Sequence, residues 1–474
     1  MRALVLILLA FCLAIPAWAN DLPELGDASE SALSVGQERS IGIGIMRQIH
    51  ATPNYLDDPD VTDYLNRIGY RLVSFSPDTR MDFTFFALKE PTINAFALPG
   101  GFIGVHSGLL LTAQTESELA SVLGHEIAHV TQRHIARMVA QQQRSGMASL
   151  AAIAVAILAA RSNPEAAMGA IAAAQAQALS TQLAFTRDNE READRVGLQI
   201  VERSGYDPHA MPVFLERLQR ATRIYDSGAV PSYMRTHPIT YERIADVQNR
   251  TMNLPYVQIP DSVDFHLVRA KLRATIDEPR TAITFFDEQL ADRKYNSEIG
   301  VRYGLVLALL RADNLKRALE EMVPLRKIAP ANPMITALEG KLKLAQNDRD
   351  GALQIFAQGV KAFPGNRGLG YDYAEALIAA GRNDRALVAL DAQLLKDQND
   401  GRLYALQAKV YSALGKRMQQ HMSLAESFLS NGNITGAIDQ LQLAQRASNG
   451  DFYENSSIEA RLRELRGVVA RREK

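Results

Sequence analysis

Leu119 to Arg133 reads LASVLGHEIAHVTQR, and the fold and chemistry of the chain both turn on how that stretch is read. Leu119, Ala120, Val122, Leu123, Ile127, Ala128 and Val130 make it apolar around most of a helical circumference, as in a helix buried in a core. His125 and His129 are four apart, so on such a helix their imidazoles stack on one face and reach a single metal ion. Glu126 lies beside that point rather than on it. Two histidines and a glutamate are costly in an apolar interior unless they are paired or metal-bound. The H-E-x-x-H pattern answers both points, because a zinc ion held by three side chains keeps a position open for water and the adjacent glutamate takes the water's proton.

A third ligand must come from elsewhere. Thr186 to Gly197 reads TRDNEREADRVG, with Glu190 and Asp194 four apart on one helical face. Glu190 completes a His-His-Glu set, and Asp194 then accepts a hydrogen bond from the far nitrogen of a ligand histidine. Glu192 points elsewhere on the same helix. The competing reading of this segment is a solvated face on which Arg187, Arg191 and Arg195 form ion pairs.

Between the two ligand segments, residues 146–178 are alanine-rich and almost uncharged, in apolar runs too short for a full membrane span. Two readings stand: a buried helical hairpin, or an apolar surface for peripheral membrane contact or a nonnative client. Upstream, Val61, Tyr64, Leu65, Ile68 and Leu72 mark an amphipathic helix over 60–74, and a helix with a glycine-rich middle covers 35–49. The period then changes. Residues 82–88, 94–98 and 102–106, the last two joined at Pro99-Gly100-Gly101, predict a small antiparallel sheet just before the metal helix. Its edge could hold an extended substrate by backbone pairing. His106, at the end of the last strand, reads as structural.

At the N-terminus an apolar run from Ala3 to Ile15 ends in Ala17-Trp18-Ala19, the pattern of an export signal cleaved after Ala19. The only cysteine, Cys12, lies inside it, so the mature chain carries no thiol and no disulfide framework. With 474 residues, 47% of them hydrophobic, the chain can bury a large core in two or three domains. A formal net charge of −1 gives no argument for nucleic acid or for anionic lipid. Pro255, Pro260 and Asp261 mark a linker over 255–264, dividing a peptidase domain at 20–254 from a repeat domain at 265–474.

The repeats have a period of 34 residues. It separates Pro330 from Pro364, and Ala318 from Ala352 and Ala386, and turns near 313, 347 and 382 recur at nearly the same interval. That is the tetratricopeptide signature: small residues where paired helices touch, each repeat burying its face on the next. About four repeats run from Phe265 through Leu414, then a less regular set through Asn431-Gly432-Asn433 and Ala437, ending in a charged helix from Glu459. Such an array offers a concave protein-binding surface and could fold back on the peptidase to gate its cleft. The fold class expected is mostly α: a zincin-type helical metallopeptidase domain with a small sheet, then an α-solenoid.

GHEIAHVTQRH at 124–134, NEREADRVG at 189–197, NAFALPGGFIGVHSGLL at 94–110 and THPITYER at 236–243 together resemble the gluzincin family of the heat-shock membrane protease and the CAAX prenyl protease. The resemblance covers nearly the whole mature chain, and with an export signal and a repeat tail it is nearest the periplasmic branch. It implies His125, His129 and Glu190 as zinc ligands, Glu126 as general base and Asp194 behind the ligands. His237 and Arg243 match the family's downstream His-Pro and Arg positions, where either can stabilise an oxyanion. In the periplasmic branch the counterpart of His237 is implied to be a fourth zinc ligand that keeps the enzyme latent, and spacing does not choose between these roles. Implied partners are the outer-membrane β-barrel assembly machinery and stalled β-barrel clients. A non-enzymatic alternative is a chaperone or assembly factor that holds clients on the repeats, its proteolysis latent or minor. A purely structural metal site is disfavoured by the open three-ligand set.

Overall fold

A computed structural model describes residues 33–78, 81–141, 187–224, 232–448 and 452–472. The export signal expected at 1–19 and the apolar stretch at 146–178 lie outside the described residues. Among those described, no helix is long and apolar enough to cross a membrane.

Helix α1 (Val35–His50) opens on a capping box in which Ser34 and Gln37 each accept the other's backbone N–H, and α2 (Pro59–Val73) opens on Asp58 with proline in its first turn. Strands β1 (Thr84–Leu88), β2 (Ala95–Leu98) and β3 (Phe102–His106) form a sheet in the order β1-β3-β2. The expected antiparallel arrangement holds for β2 and β3 only: β1 lies parallel to β3, with Phe85 opposite Ile103, so the sheet is mixed. The tight turn at Gly100 and Gly101, both with positive φ, folds β3 back on β2 and into the place beside β1. Because β1 and β2 both run against their sequence neighbour in direction, β3 necessarily runs with β1. Alternate side chains divide the sheet. Phe85, Ala87, Ile103 and Val105 enter the main core, whereas Phe86, Leu98 and Phe102 pack on Ile45, Met46 and Ile49 of α1.

After α3 (Ser107–Thr112), helix α4 (Glu116–Thr131) carries the metal-binding pattern and is buried along its whole length. Thr115 caps it, and Glu116 and Glu118 sit in the first turn, where the helix dipole favours negative charge. Helices α5 (His134–Gln141), α6 (Arg187–Arg203), α7 (Ala210–Ile224), α8 (Ser232–Thr236) and α9 (Tyr241–Thr251) complete the first part of the chain. Paired helices follow from Val263–Ile276 to Phe452–Arg472.

The 34-residue period has a backbone cause. Asp313, Asn347, Gly381 and Gly415 fall at that interval and all have positive φ, from 56° to 73°, which ends the first helix of each pair. Asn314 and Asp348, the residues after two of them, cap the second helix. Ala318, Ala352 and Ala386 are fully buried between neighbouring helices. Enlarging one of them overpacks that contact, so Ala352→Leu is expected to lower stability by about 1–3 kcal/mol in denaturant unfolding.

One apolar cluster runs without a break from Val61 to Leu342, so the first repeat helices share a core with the sheet and α4. Polar contacts reinforce the junction: Lys271 meets Asp58 at 2.7 Å and Asp60 at 2.6 Å, Arg67 meets Asp264 at 2.6 Å, and Arg367 meets Asp63 at 2.6 Å. The buried Glu116 carboxylate accepts from Tyr64, from the Ser262 hydroxyl and from the Ser262 backbone N–H, at 2.7–3.0 Å. The residues before the array are therefore fastened to the first turn of the metal helix. The array thus packs against α2 and α3, with Arg269 donating to the Leu110 and Leu111 carbonyls, while the connection before it is fastened to the end of α4 away from the histidines.

Candidate metal centre

Helices α4 and α6 cross at glycine. A Cβ on Gly197 would stand 2.9 Å from the His125 backbone nitrogen, and one on Gly124 would stand 3.1 Å from the Gly197 carbonyl oxygen. This close approach brings Glu190 and Asp194 of α6 against the histidines of α4. His125 Nε2 and His129 Nε2 are 3.0 Å apart, and the Glu190 carboxylate reaches each of them at 3.4 Å. His237, just after α8, places Nδ1 3.0 Å from Glu190 and 3.4 Å from His125 Nε2. Donor atoms of all four residues lie within 4.8 Å of one another, and all four side chains are buried.

The spacing fits a metal. Tetrahedral nitrogen and oxygen ligands with bonds of about 2.0–2.1 Å stand about 3.3–3.4 Å apart, the separation seen for most of these pairs. Glu126 supports the same reading from beside the cluster: it is fully buried, and neither carboxylate oxygen has a hydrogen-bond partner among the described residues. A buried, unsatisfied carboxylate is costly to keep, and one aimed beside a metal is placed to take a proton. Burial raises its pKa above the ordinary carboxylate range, against the opposing pull of His237 and His125. His237 Nε2 lies 3.4 Å from it.

Behind the donors, Asp194 accepts from His125 Nδ1 at 2.9 Å. Burial works against the charge of Asp194, but the Arg243 guanidinium and His125 outweigh it and hold the carboxyl down at about 2. Arg243, placed in the first turn of α9 by the Thr240 cap, grips both oxygens of Asp194 at 2.7 and 2.8 Å, Glu190 at 2.7 Å and the Pro238 carbonyl at 2.8 Å. All three of its nitrogens face these groups. Glu192 points away from the donor cluster, toward Arg137 at 2.8 Å and His134 at 3.3 Å. His106 is also remote, bonded to Thr92 at 2.8 Å, and burial lowers its pKa to about 4.

Two residues near the centre carry no role on sequence grounds alone. Tyr233 stacks on His237 with centroids 4.8 Å apart, and its backbone N–H donates to the Ile93 carbonyl at 3.1 Å, which docks the His237 segment at the start of the edge strand β2. His134 is the other. The one signal in the sequence for His134 is a third histidine in the same apolar stretch.

Comparison with known proteins agrees with this geometry. Residues 59–251 match the model of peptidase family M48, and residues 343–410 match a tetratricopeptide repeat model. The chain is 32% identical over 455 residues to the β-barrel assembly-enhancing protease of Escherichia coli (strain K12), covering 96% of this chain and 93% of that protein. It is 37% identical over 336 residues to a putative β-barrel assembly-enhancing protease of Vibrio cholerae, covering 69% of each. The mitochondrial metalloendopeptidase OMA1 of Schizosaccharomyces pombe is 30% identical over 188 residues, 40% of this chain and 52% of that one. The tetratricopeptide repeats of the present chain imply protein–protein interaction beside its metalloendopeptidase activity. Similarity that runs nearly end to end with a known protease, in a chain whose separated donor residues meet in space, gives one assignment: this chain belongs to peptidase family M48, among the relatives of the β-barrel assembly-enhancing proteases.

Proposed function

We propose that the chain is a periplasmic, zinc-dependent endopeptidase, exported by a signal cleaved after Ala19, that degrades misfolded or stalled outer-membrane proteins and assists β-barrel assembly through its repeat array. In this reading 20–254 is the peptidase domain, 255–264 the connection and 265–474 the array. The observation that carries it is the convergence of His125, His129 and Glu190 donors beside the fully buried Glu126 carboxylate. Zinc suits two imidazoles and a carboxylate in tetrahedral spacing. The client class and the assembly machinery as partner come from what the similar proteins are called.

Bound zinc supplies Lewis acidity to the scissile carbonyl and acidity to its water. Glu126 accepts the proton of the attacking water and delivers it to the leaving amine nitrogen. Strand β2 lies at the edge of the sheet next to α4, and an extended client pairs with its backbone once the His237 segment moves from its start. Asp194 fixes the His125 ring, and Arg243 fixes Asp194. This makes Arg243 a brace of the ligand helix rather than an oxyanion donor.

His237 favours a latent form of the same enzyme. Its Nδ1 lies among the donors and its Nε2 faces Glu126, so it covers both the water position and the base. Metal analysis of the purified mature chain, together with cleavage of an unfolded outer-membrane barrel, tests the whole reading: one zinc per chain and cleavage abolished by chelation are expected. Replacing His237 by Ala should raise the basal cleavage rate, by roughly 5–150-fold if the block has an ordinary coupling energy. Lower activity with zinc retained would instead make His237 an oxyanion stabiliser.

A further inference from the structure

His125 has Asp194 behind it; what stands behind His129 is a third histidine. His134 is completely buried and places Nδ1 2.7 Å from His129 Nδ1. The two residues are five apart, which on one continuous helix would put them about 140° apart around the axis. They meet because the chain breaks between α4 and α5: Arg133 has φ 53°, a left-handed conformation that a residue with a side chain rarely takes. Its guanidinium bonds the Leu33 carbonyl and lies 3.4 Å from Glu38, which holds the break in place. The His129 and His134 rings then sit edge to face with centroids 4.8 Å apart.

Proton counting gives this contact a direction. His129 Nε2 faces the donor cluster, so there it presents a lone pair and the single ring proton is on Nδ1. His134 Nδ1 must accept that proton's hydrogen bond. The His134 proton is therefore on Nε2, which faces the Glu192 carboxylate at 3.3 Å. Glu192 is in turn held by Arg137 at 2.8 Å, and Arg137 also bonds Asn189 at 3.1 Å. Every link in the row has one donor and one acceptor, and it runs from the buried ligand to a carboxylate 24% exposed at the surface.

We infer that His134, oriented by Glu192 and Arg137, is a positioning residue that fixes the tautomer and ring angle of metal ligand His129. The inference rests on the metal-centre reading proposed above. It gives each ligand histidine its own partner: a carboxylate from α6 for His125, and a neutral imidazole from α5 for His129. A neutral partner keeps one negative charge out of a buried site that already holds Glu126, Glu190 and Asp194. Partners of this kind typically contribute a factor of about 10–100 in metal affinity.

The test is Zn²⁺ affinity by chelator competition on the full-length chain, with melting of the metal-free protein beside it. His134→Leu should weaken Zn²⁺ binding by about 10–100-fold. His134→Asn, whose carbonyl oxygen stands near the ring Nδ1 and can accept from His129, should stay close to wild type. Glu192→Ala should fall between them. Wild-type affinity in His134→Leu, or equal loss in His134→Leu and His134→Asn, would overturn the proposal by leaving only a packing role. Should His134→Leu fail to fold, the comparison of Glu192→Ala with His134→Asn decides: affinity lower in the first than in the second supports the relay, and the reverse or equality overturns it. A wild-type chain that binds no Zn²⁺ would fail differently, by removing the metal centre itself.

Discussion

Glu126→Gln is expected to lower kcat/KM for an unfolded outer-membrane client by about 10²–10⁴-fold, the usual contribution of a positioned general base, while the zinc content stays at one per chain. The two outcomes separate because Glu126 stands beside the donor cluster and is no part of it. Gln has nearly the same volume in a site with no exposed surface, so the packing of α4 is preserved. It also removes a carboxylate whose charged form burial disfavours, and the metal-free variant should melt no lower than the parent. The rate is best read in a His237→Ala background, where the basal activity is high enough to lose. Turnover within a few-fold of the parent would remove Glu126 from the chemistry.

Arg243→Ala should be the most damaging change outside the donor set. The guanidinium is nearly inaccessible and compensates two buried carboxylates, Asp194 and Glu190. Removing one partner of a buried ion pair strands the other charge and costs about 3–5 kcal/mol. Denaturant unfolding of the metal-free protein should register that loss, and zinc affinity should fall with it as Asp194 loosens from His125. Arg243→Lys keeps the charge but lacks the planar fork that meets both Asp194 oxygens, so it should restore only part of the stability. An oxyanion donor would behave otherwise: the fold and zinc would survive Arg243→Ala, and only kcat would fall.

The site was largely legible before the fold was known, for a specific reason. His125 and His129 belong to one helical turn, and Glu190 and Asp194 to another, so each pair is a matter of local periodicity. The repeats were legible for the same reason, since the left-handed residues at 313, 347, 381 and 415 mark a local turn at a fixed interval. The sheet was read correctly as three short strands, but strand pairing is not local, and a parallel partner for β1 leaves no turn signal. His134 escaped notice because helical spacing puts it on the wrong face, and only the break at Arg133 turns it back.

By itself the sequence determined which chemistry the chain carries and that it ends in a 34-residue repeat, because both are written in residue types at short, regular spacing. Tertiary structure alone decided that Arg243 braces Asp194 and Glu190, that His237 lies among the donors, and that the first repeats share a core with the metal helix. Those facts depend on where residues 50 to 150 positions apart come to rest. The close crossing at Gly124 and Gly197, the docking of Tyr233 on Ile93, and the fastening of Glu116 to Ser262 help bring them together.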